Sequence, residues 1–167
     1  MATFTGAGIT TAPDTVGEVV IRGPVVMGGY LKRPDETAQA IVDGWLHTGD
    51  IGYLDGDRYL FLVDRLKEMI IRGGENIYPK EIESVLYRHD GVLEAAVIGK
   101  PDPRLGELPL AYVALRRDVN VTAEELVQHC RSRLAPYKVP TEIILVDSIP
   151  KNSVRKIDKQ HLRAEQA

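Results

Sequence analysis

Four short segments of the chain combine residue types that could do chemistry. In the first, Thr48-Gly49-Asp50, we expect a tight turn that presents a carboxylate. An ionised Asp can accept two hydrogen bonds, for example from the vicinal hydroxyls of a sugar. The same residues fit an ordinary turn in which Asp50 bonds to its own backbone. Alone, this segment leaves a ligand contact and a structural turn as alternatives.

The second and third segments lie close together in the middle of the chain. Residues 64–68 form a charge cluster. The cluster fits either a hinge whose Arg65 reaches a polar ligand or a solvated linker with ion pairs worth less than ~1 kcal/mol each. Gly73 and Gly74 have no Cβ, so the backbone there can approach a ligand closely. A plain turn before Pro79 explains these two glycines as well.

The fourth segment is the polar loop 150–156, which contains the cations Lys151, Arg155 and Lys156. A lysine on such a loop can deliver a point charge to a phosphate or carboxylate oxygen in a transition state. The alternative is a solvated basic loop that precedes the last helix.

The sequence contains none of the other common catalytic patterns. It has no Gly-x-Ser-x-Gly elbow and no phosphate-cradling Gly-Lys-Ser or Gly-Lys-Thr loop. No metal site of the His/Cys type is predicted, because the four histidines are scattered, with no Cys or carboxylate at ligand spacing. The single cysteine, Cys130, lies on the apolar face of a predicted helix, and we assign it to the core.

The elements that must position these segments change in character near residue 64. Residues 1–64 are predicted to be mostly strand and loop, with a strand at 17–23, a short helix at 34–40, a loop at 45–50 and a hairpin turn at 55–57. This part carries Asp50 in the predicted loop.

Residues 65–167 follow the order β-α-β-β-α-β-α, which predicts a compact α+β unit with a small sheet. Its first helix is indicated by the apolar spacing of Ile82, Val85 and Leu86. Its second begins at the capping box that opens with Thr122.

Length and charge exclude several classes of protein. The chain has 167 residues, enough for one domain or two small ones. Its net charge is −3, with no basic run, so we expect no nucleic-acid surface. We also expect no membrane segment and no secretory signal, because no apolar stretch is long enough. The lone cysteine fits a reducing compartment, and we expect a cytoplasmic protein.

Taken together and in order, the segments resemble the C-terminal part of the AMP-forming acyl-CoA synthetases. These belong to the adenylate-forming superfamily, which includes firefly luciferase and peptide-synthetase adenylation domains. The resemblance covers about residues 17–162. It rests mainly on Gly-Trp-Leu-His-Thr-Gly-Asp at 44–50, Asp-Arg-Leu-Lys-Glu at 64–68, Gly-Gly-Glu-Asn-Ile-Tyr-Pro at 73–79, Leu-Ala-Pro-Tyr-Lys-Val-Pro at 134–140 and the loop 150–156.

The resemblance implies a role for each candidate residue. Asp50 would bind the ribose hydroxyls of ATP and AMP, and Arg65 would be a second ribose or phosphate contact. Lys67 would lie at the hinge, and Gly73 and Gly74 would line the tunnel for the CoA pantetheine arm. The adenylation lysine, which bridges the carboxylate and the α-phosphate, would be Lys156.

The implied fold is α+β, with a small mixed sheet and flanking helices forming a C-terminal lid at 65–167 and a hinge at about 64–67. Residues 1–64 would be the β-rich end of a large N-terminal domain. The remainder of that domain, with the acyl pocket and the Mg²⁺ ligands, would lie upstream. We therefore expect this chain to be a fragment that is inactive alone.

The implied reaction activates a fatty or related carboxylic acid as acyl-AMP with ATP and then forms the CoA thioester. One alternative is an adenylation domain that passes the acyl group to a carrier protein. Another is a non-catalytic truncated binding module. The family usually has Gly before the catalytic lysine, whereas this chain has Arg155. If that position needs a positive φ, an Arg there is strained.

Overall fold

A computed structural model describes residues 1–166, and the chain divides into two units, Met1–Lys67 and a second unit that begins at Glu68. The assignment of residues 1–64 and 65–167 to two domains of a larger enzyme stays a prediction. No helix within residues 1–166 is long and apolar enough to cross a membrane.

The first unit is a six-stranded sheet with one short helix. Its elements are β1 (Ala2–Thr5), β2 (Gly8–Thr10), β3 (Gly17–Ile21), α1 (Pro34–Ala40), β4 (Ile41–Val42), β5 (Trp45–Leu54) and β6 (Leu60–Arg65). The strand order is β2-β1-β3-β5, and both β4 and β6 pair with β5. All these pairs are antiparallel. The long strand β5 is therefore the element around which this sheet is organised.

The prediction of a loop at 45–50 is wrong, because these residues form the first part of β5. Leu46 pairs with Ile21 of β3 and with Ile41 of β4, so both edges of the strand are satisfied by neighbours that are distant in sequence. Gly49 interrupts the local apolar pattern, and only the tertiary pairing shows that the strand continues through it.

The second unit contains a five-stranded sheet and three helices. After a 3₁₀ turn at the boundary (Leu66–Glu68), the elements are β7 (Ile70–Arg72), β8 (Glu75–Ile77), α2 (Pro79–Tyr87), β9 (Val92–Asp102), β10 (Gly106–Leu115), α3 (Ala123–Arg131), β11 (Glu142–Val146) and α4 (Lys159–Ala164). Antiparallel β9 and parallel β11 flank β10, and β7 joins it at Gly106. The predicted α+β class with a small mixed sheet is confirmed, and β8 is an additional strand.

Both faces of this sheet are buried, which follows from the alternation of side chains along a strand. On one face, Val97 and Val113 pack with apolar residues of α2 and α3. On the other, Ile98 and Leu110 pack with Leu162 of α4. Two apolar layers thus hold the sheet between helices, and they give the second unit a substantial core of its own.

The helix signals in the sequence correspond to real contacts. In α2, the spaced residues Ile82, Val85 and Leu86 are all buried. Thr122 and Glu125 form the reciprocal capping box that begins α3. Cys130 is fully buried on α3, where desolvation raises the pKa of its thiol to about 11, so it is a core residue and a poor nucleophile.

Candidate functional site

Asp50 lies at an irregularity in the pairing of β3 with β5. Glu18 pairs with Ile51 and Val20 pairs with His47, so Val19 alone faces the three residues 48–50. Extra residues in one strand make a bulge, which re-aims the side chains there. Gly49 has φ +71°, in the left-handed region that favours glycine. The bulge explains why Gly precedes the candidate carboxylate.

A carboxylate from β3 holds this bulge. Glu18 accepts a hydrogen bond from the Gly49 amide at 3.0 Å, and its other oxygen lies 2.7 Å from His47 Nδ1. The Thr48 hydroxyl donates to the Val19 carbonyl at 2.7 Å and accepts from the Asp50 amide at 3.1 Å. Because polar groups of the bulge are satisfied on both strands, the direction of Asp50 is set by the sheet.

Arg65, at the end of β6, lies directly opposite Asp50 in the strand register. Its Nε is 2.8 Å from Asp50 Oδ1, and the two side chains are 60% and 28% exposed, respectively. An ion pair as exposed as this contributes less than ~1 kcal/mol to stability. The structure therefore brings together the two residues predicted to contact a nucleotide, in a place where their pairing does little for folding.

Lys67 is exposed within the 3₁₀ turn at the boundary between the two units. The next residue, Glu68, forms an ion pair with Arg163 of α4. The chain is thus anchored in the second unit from Glu68 onward, directly after the residue predicted as the hinge.

Gly73 and Gly74 form the turn of the β7–β8 hairpin. Their φ values are +59° and +89°, and two-residue hairpin turns of this kind need a positive φ at both positions. The Gly73 amide donates to the Leu105 carbonyl at 2.8 Å. A Cβ on Gly74 would meet nothing within 4 Å. The turn explains both glycines, and Gly74 also leaves open space beside the backbone.

The loop 150–156 connects β11 to α4 and lies at the surface. Lys151 is paired with Glu94 at 2.6 Å. Within residues 1–166, by contrast, no ion pair involves Lys156. Arg155 has φ +61°, so the position at which the resemblance implies Gly adopts the left-handed conformation here. Lys156 is thus a cation without an ion-pair partner among residues 1–166, and it follows a residue in a strained conformation.

Two supporting residues were not found from the sequence. Glu18 meets His47 across 29 positions of sequence, which only the β3–β5 pairing brings together. Asn152, in the lysine loop, bonds to the backbone of Lys156. The one available signal was local, since Asn commonly bonds to a backbone amide a few residues on.

The candidate residues are divided between the two units. Asp50 and Arg65 lie side by side in the first unit. Gly73 and Gly74 belong to one loop of the second unit and Lys156 to another. Among residues 1–166, no group of three or more His, Cys, Asp or Glu side chains is arranged to hold a metal ion.

A comparison with protein-family models bears on the identity of the second unit. Residues 81–156 match the family model for the AMP-binding enzyme C-terminal domain. The resemblance of the chain to the C-terminal part of AMP-forming acyl-CoA synthetases is confirmed.

Individual relatives extend the match over nearly the whole chain. A 2-succinylbenzoate–CoA ligase from Geobacillus sp. (strain WCH70) is 47% identical over 156 residues, which are 93% of this chain and 32% of the relative. The o-succinylbenzoate CoA synthetase of Bacillus subtilis, solved with its acyl-adenylate intermediate, is 40% identical with a TM-score of 0.87 over 97% of this chain and 33% of that one.

A third match acts on a different acid. The fatty acyl CoA synthetase of Mycobacterium tuberculosis is 44% identical, with a TM-score of 0.67, over 98% of this chain and 32% of that one. The chain thus spans about a third of the length of the relatives it matches.

Proposed function

We propose that this chain is the C-terminal part of an AMP-forming acid–thiol ligase. The complete enzyme would activate a carboxylic acid with ATP and transfer the acyl group to CoA. The observation that carries the proposal is that Lys156, on its exposed loop, has no ion pair within residues 1–166 of a chain that is 47% identical over 93% of its length to a CoA ligase. We expect the chain alone to be inactive, since it spans about a third of that relative.

Asp50 and Arg65 are the proposed nucleotide contacts. An ionised carboxylate offers about four lone-pair positions, so Asp50 can accept bonds from two ribose hydroxyls while Arg65 occupies another position. The side chain of Arg65 is 60% exposed, so its guanidinium can also reach a ribose or phosphate oxygen. Their direct strand pairing holds both groups in the same place for one ligand.

Lys156 is the proposed adenylation residue. In that step a carboxylate oxygen attacks the α-phosphorus of ATP, the bond from this phosphorus to the bridging oxygen breaks, and pyrophosphate leaves. The attacking and attacked groups are both anionic, so they repel each other. A lysine ammonium between them offsets the repulsion most strongly when charge builds up in the transition state.

The second step needs different groups. The CoA sulfur attacks the acyl carbon, the thiol proton is lost, and AMP leaves. We propose that the second unit turns about Lys67, so that Lys156 is withdrawn and the Gly73-Gly74 turn approaches the pantetheine arm. Domain alternation of this kind lets one small domain serve two reactions in sequence. The open space at Gly74 supports its place in the tunnel.

For the acid substrate, we propose only its chemical class, a carboxylic acid. The ligase matches are named for 2-succinylbenzoate, and one structural match is named for a fatty acyl group, so both acids are candidates to be tested. Mg²⁺ would accompany ATP in the complete enzyme, where it neutralises phosphate charge. We propose that its ligands belong to the part of the enzyme outside this chain.

Complementation tests the proposal. The chain is mixed with a separately produced N-terminal part of the Bacillus subtilis relative, and AMP release is followed with ATP, CoA and either 2-succinylbenzoate or a fatty acid. We expect AMP release that Lys156→Ala lowers by about a hundredfold or more. Thioester formation from preformed acyl-AMP should survive the substitution, because the lysine acts in the first step.

Lys100→Ala is the matched control, since Lys100 is a surface lysine of the same unit in an exposed ion pair with Glu142. It should leave AMP release unchanged. Equal activity of the Lys156 and Lys100 variants would overturn the proposed role. Acyl transfer to a carrier protein in place of CoA would favour the adenylation-domain alternative. No AMP release with any acid, from a folded chain, would favour a non-catalytic binding module.

A further inference from the structure

The base of the lysine loop is closed by its own main chain. Lys151 and Ile157 form an isolated antiparallel bridge, and the Asp158 amide donates to the Pro150 carbonyl at 2.9 Å. The Lys151 ammonium also reaches Glu94 on β9, so this end of the loop is attached to the sheet. Only the residues between the two ends remain to be ordered.

Asn152 makes most of the hydrogen bonds that order these loop residues. Its side-chain oxygen accepts hydrogen bonds from the Val154 amide at 3.1 Å and the Lys156 amide at 3.0 Å. Its own amide donates to the Lys156 carbonyl at 2.8 Å, and its carbonyl accepts from the Arg155 amide at 2.9 Å. Both main-chain polar groups of Lys156 are therefore bonded to Asn152.

These bonds also act against a local strain. Arg155 is held at φ +61°, which is disfavoured for a residue with a Cβ. Such a conformation persists only where surrounding interactions enforce it. The loop is exposed and its apolar residue Val154 is 67% exposed, so packing does little to enforce it. The hydrogen bonds of Asn152 are therefore the interactions that hold Arg155 in this conformation.

We propose that Asn152 is the positioning residue of Lys156. Its side-chain oxygen fixes the main chain on both sides of the strained Arg155, so that the lysine leaves the loop in one direction. A catalytic group that is misplaced by about 1 Å can lose a large part of its effect. The inference rests on the proposed function of Lys156 in adenylation, but the ordering of the loop can be measured without any activity.

The test compares three variants of the full chain. Asn152→Ala removes the accepting oxygen, Asn152→Asp keeps it, and Ser153→Ala changes a neighbour whose side chain makes none of these bonds. Amide hydrogen exchange of Val154 and Lys156 reports the order of the loop. In the complemented enzyme, kcat and KM for the adenylation step report the position of the lysine.

We expect Asn152→Ala to speed exchange at Lys156 by roughly tenfold and to lower kcat by a similar factor, with KM for ATP unchanged. Asn152→Asp should restore slow exchange, because the oxygen is retained. Ser153→Ala should match the wild type in both measurements.

Two results would overturn the inference. One is exchange at Lys156 that is equally slow in Asn152→Ala and the wild type. The other is an unchanged kcat in Asn152→Ala while Lys156→Ala is inactive. A failure of the proposed function looks different, since the wild-type mixture would then release no AMP although the exchange rates still respond to Asn152→Ala as expected.

Discussion

The strand bulge that carries Asp50 and the loop that carries Lys156 share one backbone feature, a residue in the left-handed conformation. The hydrogen bonds that stabilise this conformation differ between them. In each, the residue directly before the candidate side chain has a positive φ, +71° at Gly49 and +61° at Arg155. The bulge is built into a sheet and bonded to Glu18, whose side chain is only 11% exposed. The loop is exposed and bonded mainly to Asn152.

The difference fits the proposed tasks of the two side chains. A nucleotide contact must stay in one place throughout the reaction, and paired strands hold a site more firmly than loops do. A lysine that acts in one step and is then withdrawn needs order only within its own loop. We therefore expect the Asp50 region to lose stability when its support is removed and the Lys156 region to lose mainly local order.

Removal of Glu18 should have the largest effect on stability. Glu18→Ala leaves the Gly49 amide and the His47 ring without their acceptor. Hydrogen bonds to a charged group contribute about 1.5–3 kcal/mol each. Because both bonds are only partly buried and water can replace part of each, we expect the first unit to lose about 2–4 kcal/mol of unfolding free energy. Urea unfolding followed by the fluorescence of Trp45, the single tryptophan and part of β5, measures this loss.

Glu36→Ala is the control for this prediction. Glu36 makes an exposed ion pair with Arg33 in the same unit, and such a pair contributes less than ~1 kcal/mol. If both variants unfold at the same urea concentration, the sheet does not depend on Glu18 and the contrast between the two regions is wrong.

Glu18 also shows where sequence reasoning ends. Thr48-Gly49-Asp50 could be selected as a candidate ligand contact because its residue types are adjacent. Its support could not, because Glu18 and His47 are 29 positions apart and meet only through strand pairing. For the same reason the predicted loop at 45–50 was wrong: β5 is defined by partners on β3 and β4 that no local pattern reveals.

The second unit was more predictable. Two of its helices are indicated by local sequence patterns, namely the spacing of Ile82, Val85 and Leu86 and the capping box at Thr122. Even there, the parallel pairing of β10 with β11 is a long-range contact that periodicity alone does not give. Strain at Arg155 could be predicted only if its φ were assumed to be positive, because the sequence does not give the φ of a residue.

Gly49→Ala tests whether the bulge needs a positive φ. A Cβ at this position would meet nothing within 4 Å, so any cost comes from the backbone conformation. That conformation costs about 1–2 kcal/mol for a residue with a Cβ, partly offset by the lower freedom of Ala in the unfolded chain. We expect a net loss of about 1 kcal/mol by Trp45 fluorescence.

Gly56→Ala is the matched control, because Gly56 also has open space around it but is not among the residues with positive φ. It should be neutral or slightly stabilising. A loss at Gly56 as large as that at Gly49 would mean that the experiment measures loss of glycine in general and says nothing about the bulge.

The reverse substitution in the lysine loop should have the smallest effect and the opposite sign. Arg155→Gly relieves about 1–2 kcal/mol of left-handed strain, while glycine costs roughly 0.5–1 kcal/mol through its freedom in the unfolded chain. The expected gain is about 0.5–1 kcal/mol, seen as a rise of a few degrees in the Tm of the second unit. Thermal unfolding followed by circular dichroism measures it.

Arg117→Gly separates strain relief from a general effect of replacing a surface arginine. Arg117 is exposed in the same unit and is not among the residues with positive φ, so glycine there should lower the Tm. Opposite signs at the two positions would show that the loop stores strain at Arg155. If both variants lose stability, Arg155 is not strained. The positive φ would then favour glycine only in the bulge, and the proposed likeness between the bulge and the loop would be wrong.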